Sequence, residues 1–394
     1  MTDFAPASMS FEPGAAGPKG SIPLCVPHIA GNEWEYVKEC LDTNWVSSVG
    51  PFVDRFESSV ADFVGAQFGV ATSSGTAALH IALLAAGIQP DDEVLVSDLT
   101  FIAPANAIRY IGAWPILIDA EPNYWQMDVQ KLSDFLTTGC EWTNRSLINR
   151  NTGRRVTAIL PVHILGHPVD MDPLLELARR FDLRVIEDAT ESLGAKYKGR
   201  PAGHLGDIGC FSFNGNKIIT AGGGGMIVTD NQEYAARAKY LSTQAKDDSI
   251  EYIHNEVGFN YRLTNVQAAI GCAQMELLPT FIERKRHIAS SYSKLLENVG
   301  GLTTMPRADW ADPVYWLYTI LTDASSRDCM RKLAKKSIQA RPLWQPLHLS
   351  PVYESIQVEG GNVAEDLNKR ALSLPSSVSL TDVEIEEIVS AIIS

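Results

Sequence analysis

One lysine of the chain has neighbours that favour covalent chemistry. Lys217 follows the apolar and aromatic run Cys210–Phe213, which has the composition of a strand, and the turn residues Asn214 and Gly215. The lysine is therefore expected on a short connection where it can lose water. Burial lowers the pKa of an amine, and a neutral amine is the nucleophile that forms Schiff bases with aldehydes, including the aldehyde of pyridoxal phosphate. An isolated lysine is usually a surface residue, so this interpretation depends on the residues that accompany it.

Two other segments suit a phosphate and a flat ring. The turn Ser73–Thr76 precedes the strong helix-forming run Ala77–Ala86, and hydroxyl groups and a glycine at a helix N-terminus form a cradle for phosphate. A simple helix cap explains the same residues and is the commoner case. Phe101 follows the predicted strand Glu93–Ser97, where open α/β sheets bind ligands, and is placed to stack on a flat cofactor. Ordinary core packing is the alternative for this ring.

Acids and a histidine follow two further predicted strands. The buried strand Leu183–Asp188 ends in Glu187 and Asp188, and apolar strands seldom end in paired acids by chance. A carboxylate at Asp188 is placed to hold a pyridinium nitrogen protonated, which strengthens such a ring as an electron sink. A helix cap is the alternative role. His163 follows the strand Val156–Val162 and is a candidate for the same edge, although a structural histidine fits equally well.

Composition limits the classes of function. A chain of 394 residues with 45% apolar and 20% charged residues is typical of a globular protein of two or more domains. The net charge of −14 disfavours nucleic acid and anionic membranes as partners. The six cysteines are scattered without C-x-x-C spacing, so we expect neither a metal site nor a disulfide framework. The first 20 residues match neither a signal peptide nor a membrane span, which predicts a flexible arm and a cytoplasmic protein.

The elements that must position these residues alternate between short strands and helices. From Phe68 onward this alternation predicts right-handed βαβ units and a parallel sheet. The polar stretch 137–155 is expected to form an exposed loop or hairpin inserted between sheet strands. A strand is also predicted at Trp316–Leu321 in the C-terminal third.

Helical spacing marks both ends of the chain. Residues 32–41 are predicted to form an amphipathic helix whose apolar stripe packs against the body of the protein and consists of Trp34, Val37 and Leu41. Two helices are predicted over 265–278 and 281–299, and a last one over 382–393.

Five motifs in order carry a family resemblance. The chain resembles the DegT/DnrJ/EryC1/StrS sugar aminotransferases from about Ile22 onward, most of all the branch that makes 4-amino sugars, the LegC-type and perosamine-synthase-like enzymes. The motifs are Ser74-Gly75-Thr76, Thr100-Phe101, Glu187-Asp188-Ala189, Ser212-Phe213 with Lys217, and Gly258 to Thr264. The resemblance implies an α/β fold-type I pyridoxal-phosphate enzyme. Its large domain, 21–262, would contain a mostly parallel sheet of the seven-stranded type, and a smaller α+β domain would span 263–394.

The resemblance also implies roles for single residues. Lys217 would form the Schiff base with pyridoxal 5'-phosphate, and Asp188 would pair with the pyridine nitrogen. Phe101 would stack on the ring, and Glu191 stands where many members have His or Gln near the phenolic oxygen. The cofactor phosphate would be held by Gly75, Thr76 and Ser212, together with Asn260 from the partner subunit of a homodimer with shared active sites.

The implied reaction moves an amino group from L-glutamate to a 4-keto-6-deoxy sugar nucleotide. The expected acceptor is a UDP-linked 2-acetamido-4-keto hexose, with a GDP-perosamine-synthase type or a keto sugar acid as alternatives. Candidate substrate contacts are His163, Arg262 and Arg341. Dehydratases related to the family carry His in place of the lysine, so Lys217 argues against that chemistry. A non-catalytic protein that binds sugar nucleotides is the alternative of a different class.

Overall fold

A computed structural model describes residues 20–248 and 250–394. The predicted N-terminal arm therefore lies, apart from Gly20, outside the described residues. The helices are α1 Glu33–Asp42, α2 Pro51–Val64, α3 Gly75–Ala85, α4 Ala103–Tyr110, α5 Val129–Asp134, α6 Met171–Arg180, α7 Gln232–Ser242, α8 Asn265–Leu296, α9 Ser326–Ala334, α10 Asn362–Arg370 and α11 Asp382–Ile393. Within the described ranges, no helix is both long enough and apolar enough to cross a bilayer.

Most strands are short. They are β1 Phe68–Thr72, β2 Glu93–Ser97, β3 Trp114–Ile118, β4 Cys140–Thr143, β5 Ser146–Asn149, β6 Val156–Leu160, β7 Arg184–Asp188, β8 Lys196–Tyr197, β9 Arg200–Pro201, β10 Ile208–Ser212, β11 Gly225–Thr229, β12 Leu302–Thr303, β13 Ala311–Asp312, β14 Thr319–Thr322, β15 Arg341–Pro342, β16 Val358–Glu359 and β17 Ala371–Ser373. The predicted hairpin in 137–155 is confirmed, since β4 and β5 pair antiparallel.

The large sheet has the strand order β1-β11-β10-β7-β6-β2-β3-β16. Its strands run parallel except for β11, which is antiparallel to both β1 and β10. This mostly parallel sheet confirms the predicted α/β class. Every residue of β2 is buried, as expected for a strand covered by helices on both faces.

Strand register brings predicted site residues together at one end of the parallel strands. Cys210 of β10 lies opposite Asp188 of β7. At the next strand, Gly225 pairs with both Ser212 and Thr72. The ends of β1, β7 and β10 therefore meet, although they are far apart in the sequence.

A second, antiparallel sheet has the order β12-β14-β17-β15 and belongs to the C-terminal part of the chain. Two segments cross the predicted division at residue 262. Strand β16 adds to the large sheet beside β3. The segment after Gly20 lies with the C-terminal part, because Ile22 forms a parallel bridge with Ile338.

Three local predictions are wrong. The two helices predicted over 265–278 and 281–299 are one helix, α8, which continues through Pro279. Proline removes one hydrogen bond from a helix, but Leu278, Phe281 and Ile282 are buried on either side of it and packing offsets that loss. Trp316 lies outside the strand predicted for it, because β14 begins only at Thr319.

The third error concerns the face of α1. Trp34 is 77% exposed and Leu41 59% exposed, whereas Glu33 and Cys40 are buried against the protein. Glu33 reaches inward because its carboxylate accepts hydrogen bonds from Gly31 N at 2.8 Å and from Gln274 Nε2. Trp34 and Leu41 of the predicted apolar stripe therefore point away from the rest of the chain.

Candidate active site

A cavity of about 330 Å³ opens where the ends of β1, β7 and β10 meet. Residues at the ends of strands of the large sheet, or in the segments that follow them, line it together with two indoles from the C-terminal part. The lining includes Ser74, Gly75, Thr76, Phe101, Asp188, Glu191, Ser212, Lys217, Trp316 and Trp344. Phe101 is 57% exposed, which is unusual for a phenyl ring and suits a side chain that covers a ligand.

The N-terminus of α3 forms one end of this cavity. Ser74 caps the helix, with its hydroxyl accepting from Ala77 N at 3.1 Å. The backbone N–H groups of Gly75 and Thr76 lie in the first turn, where a helix has no acceptor of its own. A Cβ on Gly75 would come within 2.8 Å of Ser212 Cβ, so glycine is needed for this close approach. N–H groups, hydroxyls and a helix N-terminus together suit a phosphate dianion.

Lys217 is held by the predicted turn. Its backbone N–H donates to Asn214 O at 3.0 Å, which closes the turn at the end of β10. Its Nζ lies 3.5 Å from Glu191 Oε1 and 4.3 Å from the ring centroid of Trp316. The lysine side chain is only 14% exposed, as predicted for an amine removed from bulk water.

Asp188 is a buried acid that faces the cavity. Its Oδ1 accepts from Thr190 N at 3.1 Å, and across the described residues no cationic side chain forms an ion pair with it. Burial raises the pKa of Asp188, although Thr190 and the nearby Lys217 oppose this. A cationic ring nitrogen in the cavity would stabilise the carboxylate that the protein leaves without a countercharge.

Glu191 is a second buried acid and lies beside the lysine. Its Oε2 accepts from Leu165 N at 2.8 Å. Burial raises the pKa of Glu191 to about 7, with Lys217 and Leu165 N–H acting to lower it and Asp188 to raise it. This carboxyl can therefore hold a proton near neutral pH. A protonated Glu191 can donate to a phenolic oxygen, which removes the repulsion expected between two anionic oxygens.

The structure does not bring the predicted substrate contacts to the cavity. His163 is fully buried, with Nε2 2.9 Å from Glu187 Oε2 and Nδ1 accepting from Val169 N at 3.1 Å. This geometry favours the structural interpretation of His163. Arg341 is exposed on β15 and lies outside the cavity lining.

Two residues of the motif after Gly258 lie beside the site without lining it. Asn260 is exposed, and the following residue, Tyr261, accepts from Ser73 N through its carbonyl at 2.7 Å. Arg262 has a buried Nε that finds no hydrogen-bond partner in the described part of the chain. Both side chains are thus left available to a neighbouring group.

Sequence reasoning missed Trp316, which lies beside Trp344, as a site residue. Both line the cavity, and their rings are parallel within 3° at a centroid distance of 6.5 Å. They lie close to β14 and β15 of the second sheet, about 100 residues or more beyond Lys217 in the sequence, so no local pattern marks them.

The residues of the cavity fit pyridoxal phosphate. A buried acid without a cation suits the ring nitrogen, the glycine-dependent N-terminus of α3 suits the phosphate, and the part-buried lysine suits the aldehyde. The exposed ring of Phe101 suits stacking on the pyridine.

Comparisons with known proteins agree with this geometry. The family model of the DegT/DnrJ/EryC1/StrS aminotransferases matches residues 27–393. A GDP-perosamine synthase of Caulobacter vibrioides is 40% identical over 376 residues, which is 94% of this chain and 97% of the relative. A GDP-perosamine synthase of Escherichia coli O157:H7 is 41% identical over 367 residues, 92% of this chain and 95% of the relative.

A solved structure shows the same architecture. The crystal structure of DesV from S. venezuelae, in complex with a ketimine intermediate, superposes with a TM-score of 0.83 at 30% identity, covering 92% of this chain and 93% of DesV. The fold, the cavity and the family match lead to one conclusion: the chain belongs to the DegT/DnrJ/EryC1/StrS family of pyridoxal-phosphate-dependent sugar aminotransferases.

Proposed function

We propose that this enzyme transfers the amino group of L-glutamate to C4 of a GDP-linked 4-keto-6-deoxy hexose. The observation that carries the proposal is that Lys217 and Asp188 line the same cavity, in a chain that is 40% and 41% identical to two GDP-perosamine synthases. The similarity favours the GDP-linked alternative over the UDP-linked 2-acetamido sugar that was expected first.

Bound pyridoxal phosphate supplies an aldehyde that exchanges amines and a ring that accepts an electron pair. Lys217 would hold the aldehyde of the cofactor until the donor amine arrives, and its Nζ would then be available as a base. Nζ would take the proton from the α carbon of glutamate and deliver it one position along, so that it gains and loses one proton in each half-reaction. The keto sugar receives the amine in the reverse sequence.

The other side chains hold charge and position. Asp188 remains an anion beside the ring nitrogen and keeps it protonated. Gly75, Thr76 and Ser212 hold the phosphate end, so that the lysine and the donor carbon meet at a fixed distance. Glu191 holds a proton at the phenolic oxygen.

A panel of keto sugar nucleotides tests the acceptor. Purified enzyme is incubated with glutamate and either GDP-linked or UDP-linked 4-keto sugars, and the aminated sugar and 2-oxoglutarate are measured by mass spectrometry. We expect amination of the GDP-linked sugar and none by Lys217→Ala. Amination of the UDP-linked 2-acetamido sugar alone would contradict the GDP-linked acceptor and favour the UDP-linked one. If no acceptor led to release of 2-oxoglutarate, the proposed aminotransferase activity would be contradicted.

We further propose that the active form is a homodimer in which Asn260 reaches the phosphate of the neighbouring subunit. Two features support it: Asn260 is exposed and absent from the lining of its own cavity, and α1 turns Trp34 and Leu41 outward. A two-fold interface that buries such apolar side chains is the common form of a homo-oligomer.

Complementation between two inactive variants tests the shared site. Lys217→Ala and Asn260→Asp are each expected to be nearly inactive alone, because one lacks the base and the other repels phosphate. A mixed dimer would have one site free of both lesions, so activity should return on co-expression. If mixed dimers form from folded parents and stay inactive, Asn260 acts within its own subunit.

A further inference from the structure

The indole of Trp316 faces the amine of Lys217. Nζ lies 4.3 Å from the ring centroid, well within the range of a cation–π interaction. Trp316 is 5% exposed and the lysine side chain 14% exposed, so little water separates the two groups. Cation–π attraction is strongest when both partners are removed from water.

Every polar group of Trp316 is fixed by a hydrogen bond. Its backbone N–H donates to Leu165 O at 3.0 Å, and its carbonyl accepts from the buried Lys285 Nζ at 2.8 Å. The indole Nε1 donates to Asn216 O at 2.6 Å, in the residue that directly precedes Lys217. The ring is therefore fixed to the same turn that carries the lysine, although it belongs to the C-terminal part of the chain.

The backbone at Leu165 connects the two neighbours of the lysine. Leu165 has φ 60° and ψ 10°, a left-handed conformation that is uncommon for a residue other than glycine. In this conformation its N–H donates to Glu191 and its carbonyl accepts from Trp316. Strained backbone of this kind is concentrated at functional sites, where the surrounding structure maintains it.

We propose that Trp316 is a catalytic residue whose indole face stabilises the positive charge on Lys217 Nζ while the lysine carries the proton of the amino donor. The inference rests on the proposed aminotransferase activity. Unlike a carboxylate, the indole does not titrate, so the protonated amine keeps this stabilising partner at every pH.

The acids beside the lysine serve this role less well. Glu191, at 3.5 Å, has a pKa of about 7 because of burial and loses its charge over part of the neutral range. Asp188 also lines the cavity, where its charge is matched to the cofactor ring. The indole face keeps the same electrostatic character at every pH.

Site-specific incorporation of fluorinated tryptophans at 316 tests the proposal, because each fluorine weakens the negative face of the ring with little change in shape. One readout is the single-turnover reaction with glutamate, followed by the absorbance of the bound cofactor. The other is the rate at which the apoprotein captures pyridoxal phosphate at a fixed, near-neutral pH. The matched control is fluorination of Trp114. The Cζ atoms of Arg109 and Arg154 lie 3.7 Å and 4.4 Å from its ring centroid, so it makes similar contacts with cations. Trp114 lies at the start of β3, whereas the cavity lies at the opposite ends of the parallel strands.

We expect opposite changes in the two readouts. The glutamate reaction should slow in proportion to fluorine content, by about threefold to tenfold in total, because the protonated lysine is less stabilised. Capture should become faster by a similar factor, since a larger fraction of the amine is uncharged and nucleophilic. Trp114 variants should match the wild type in both.

A purely structural role of Trp316 would slow both reactions together. Rates that do not change with fluorine content in either reaction would show that the ring face does not stabilise the charge on Lys217 Nζ. Either result overturns the proposal. If the wild type captures the cofactor but never reacts with glutamate, the proposed function fails, and the capture series still decides the role of Trp316.

Discussion

Two buried acids, adjacent at the end of β7, have opposite surroundings. Glu187 accepts from Gly203 N, Leu205 N and Gly206 N at 2.6 to 2.8 Å and is paired with His163. Asp188 accepts one N–H, from Thr190, and otherwise faces the cavity. We call the first pair, Glu187 with His163, the closed acid site and the second set, Asp188 with Glu191, the open acid site.

The pKa directions follow this difference. Burial acts to raise the pKa of Glu187, but the hydrogen bonds from His163 and the three N–H groups outweigh it and the net pKa is lowered. At Asp188 burial prevails and the pKa is raised. A buried acid that is fully hydrogen-bonded supports the fold, whereas one that lacks donors and faces a cavity is suited to the charge of a ligand.

The largest effect is expected for Asp188→Asn. Removing the charge that keeps the ring nitrogen protonated should lower kcat by about 10²–10³-fold, the size of losing one preorganised electrostatic partner. Because a raised pKa means that ionised Asp188 destabilises the fold above its unfolded pKa, the apoprotein should melt at the same or a higher temperature. If the variant lost activity and also melted at a lower temperature, Asp188 would support the fold in the same way as Glu187, and the account would be contradicted.

Glu187→Gln should show the reverse pattern. Replacing the buried carboxylate removes the charge-assisted hydrogen bonds that it accepts from His163 and from three backbone N–H groups, and should destabilise the protein by about 3 kcal/mol, measured by urea unfolding. At a temperature where the variant is folded, the rate should fall less than about tenfold, since Glu187 does not face the cavity. A stable variant with the activity loss of Asp188→Asn would end the distinction between the two sites.

Glu191 sharpens the comparison through pH. Its folded pKa of about 7 lies above the ordinary value of 4.5, so ionisation of Glu191 reduces stability as pH rises through that window. Wild-type apoprotein should lose roughly 3 kcal/mol more than Glu191→Gln between pH 4.5 and pH 7.5. Parallel stability curves for the two proteins would show that Glu191 is already ionised at low pH.

A smaller effect is expected for Gly75→Ala. The added Cβ would meet Ser212 Cβ at 2.8 Å and Thr190 Cγ2 at 3.1 Å, at the end of the cavity that suits the cofactor phosphate. Cofactor affinity should weaken about tenfold, the cost of modest overpacking, as measured by equilibrium dialysis. Gly215→Ala is the control, because nothing lies within 4 Å of its added Cβ and its cofactor affinity should be unchanged.

The sequence could predict what depends on local patterns. The turn at Asn214, the acids that end β7 and the cap at Ser74 each follow a short strand, so alternation of strands and helices was sufficient to bring them to one sheet edge. The confirmed family resemblance supplied the cofactor.

What the sequence could not predict depends on distant contacts. Trp316 is held beside Lys217 by hydrogen bonds with Leu165, Asn216 and Lys285. These three residues are separated from one another by long stretches of chain. The outward direction of Trp34 and Leu41 on α1 was not predicted, because helical spacing alone does not say which face of a helix packs against the rest of the chain. Two helices were predicted over 265–278 and 281–299, because the packing that keeps α8 continuous through Pro279 comes from residues distant in sequence.

Reductive trapping tests the central claim, that Lys217 is the residue that holds the cofactor, most directly. The holoenzyme is treated with borohydride and digested, and the peptide that retains the pyridoxyl phosphate group is sequenced by mass spectrometry. The account predicts one labelled lysine, Lys217, with Lys285 unlabelled in the same digest and no label in Lys217→Ala. A label on another lysine, or no retained cofactor after reduction of protein that was loaded with it, would contradict the account.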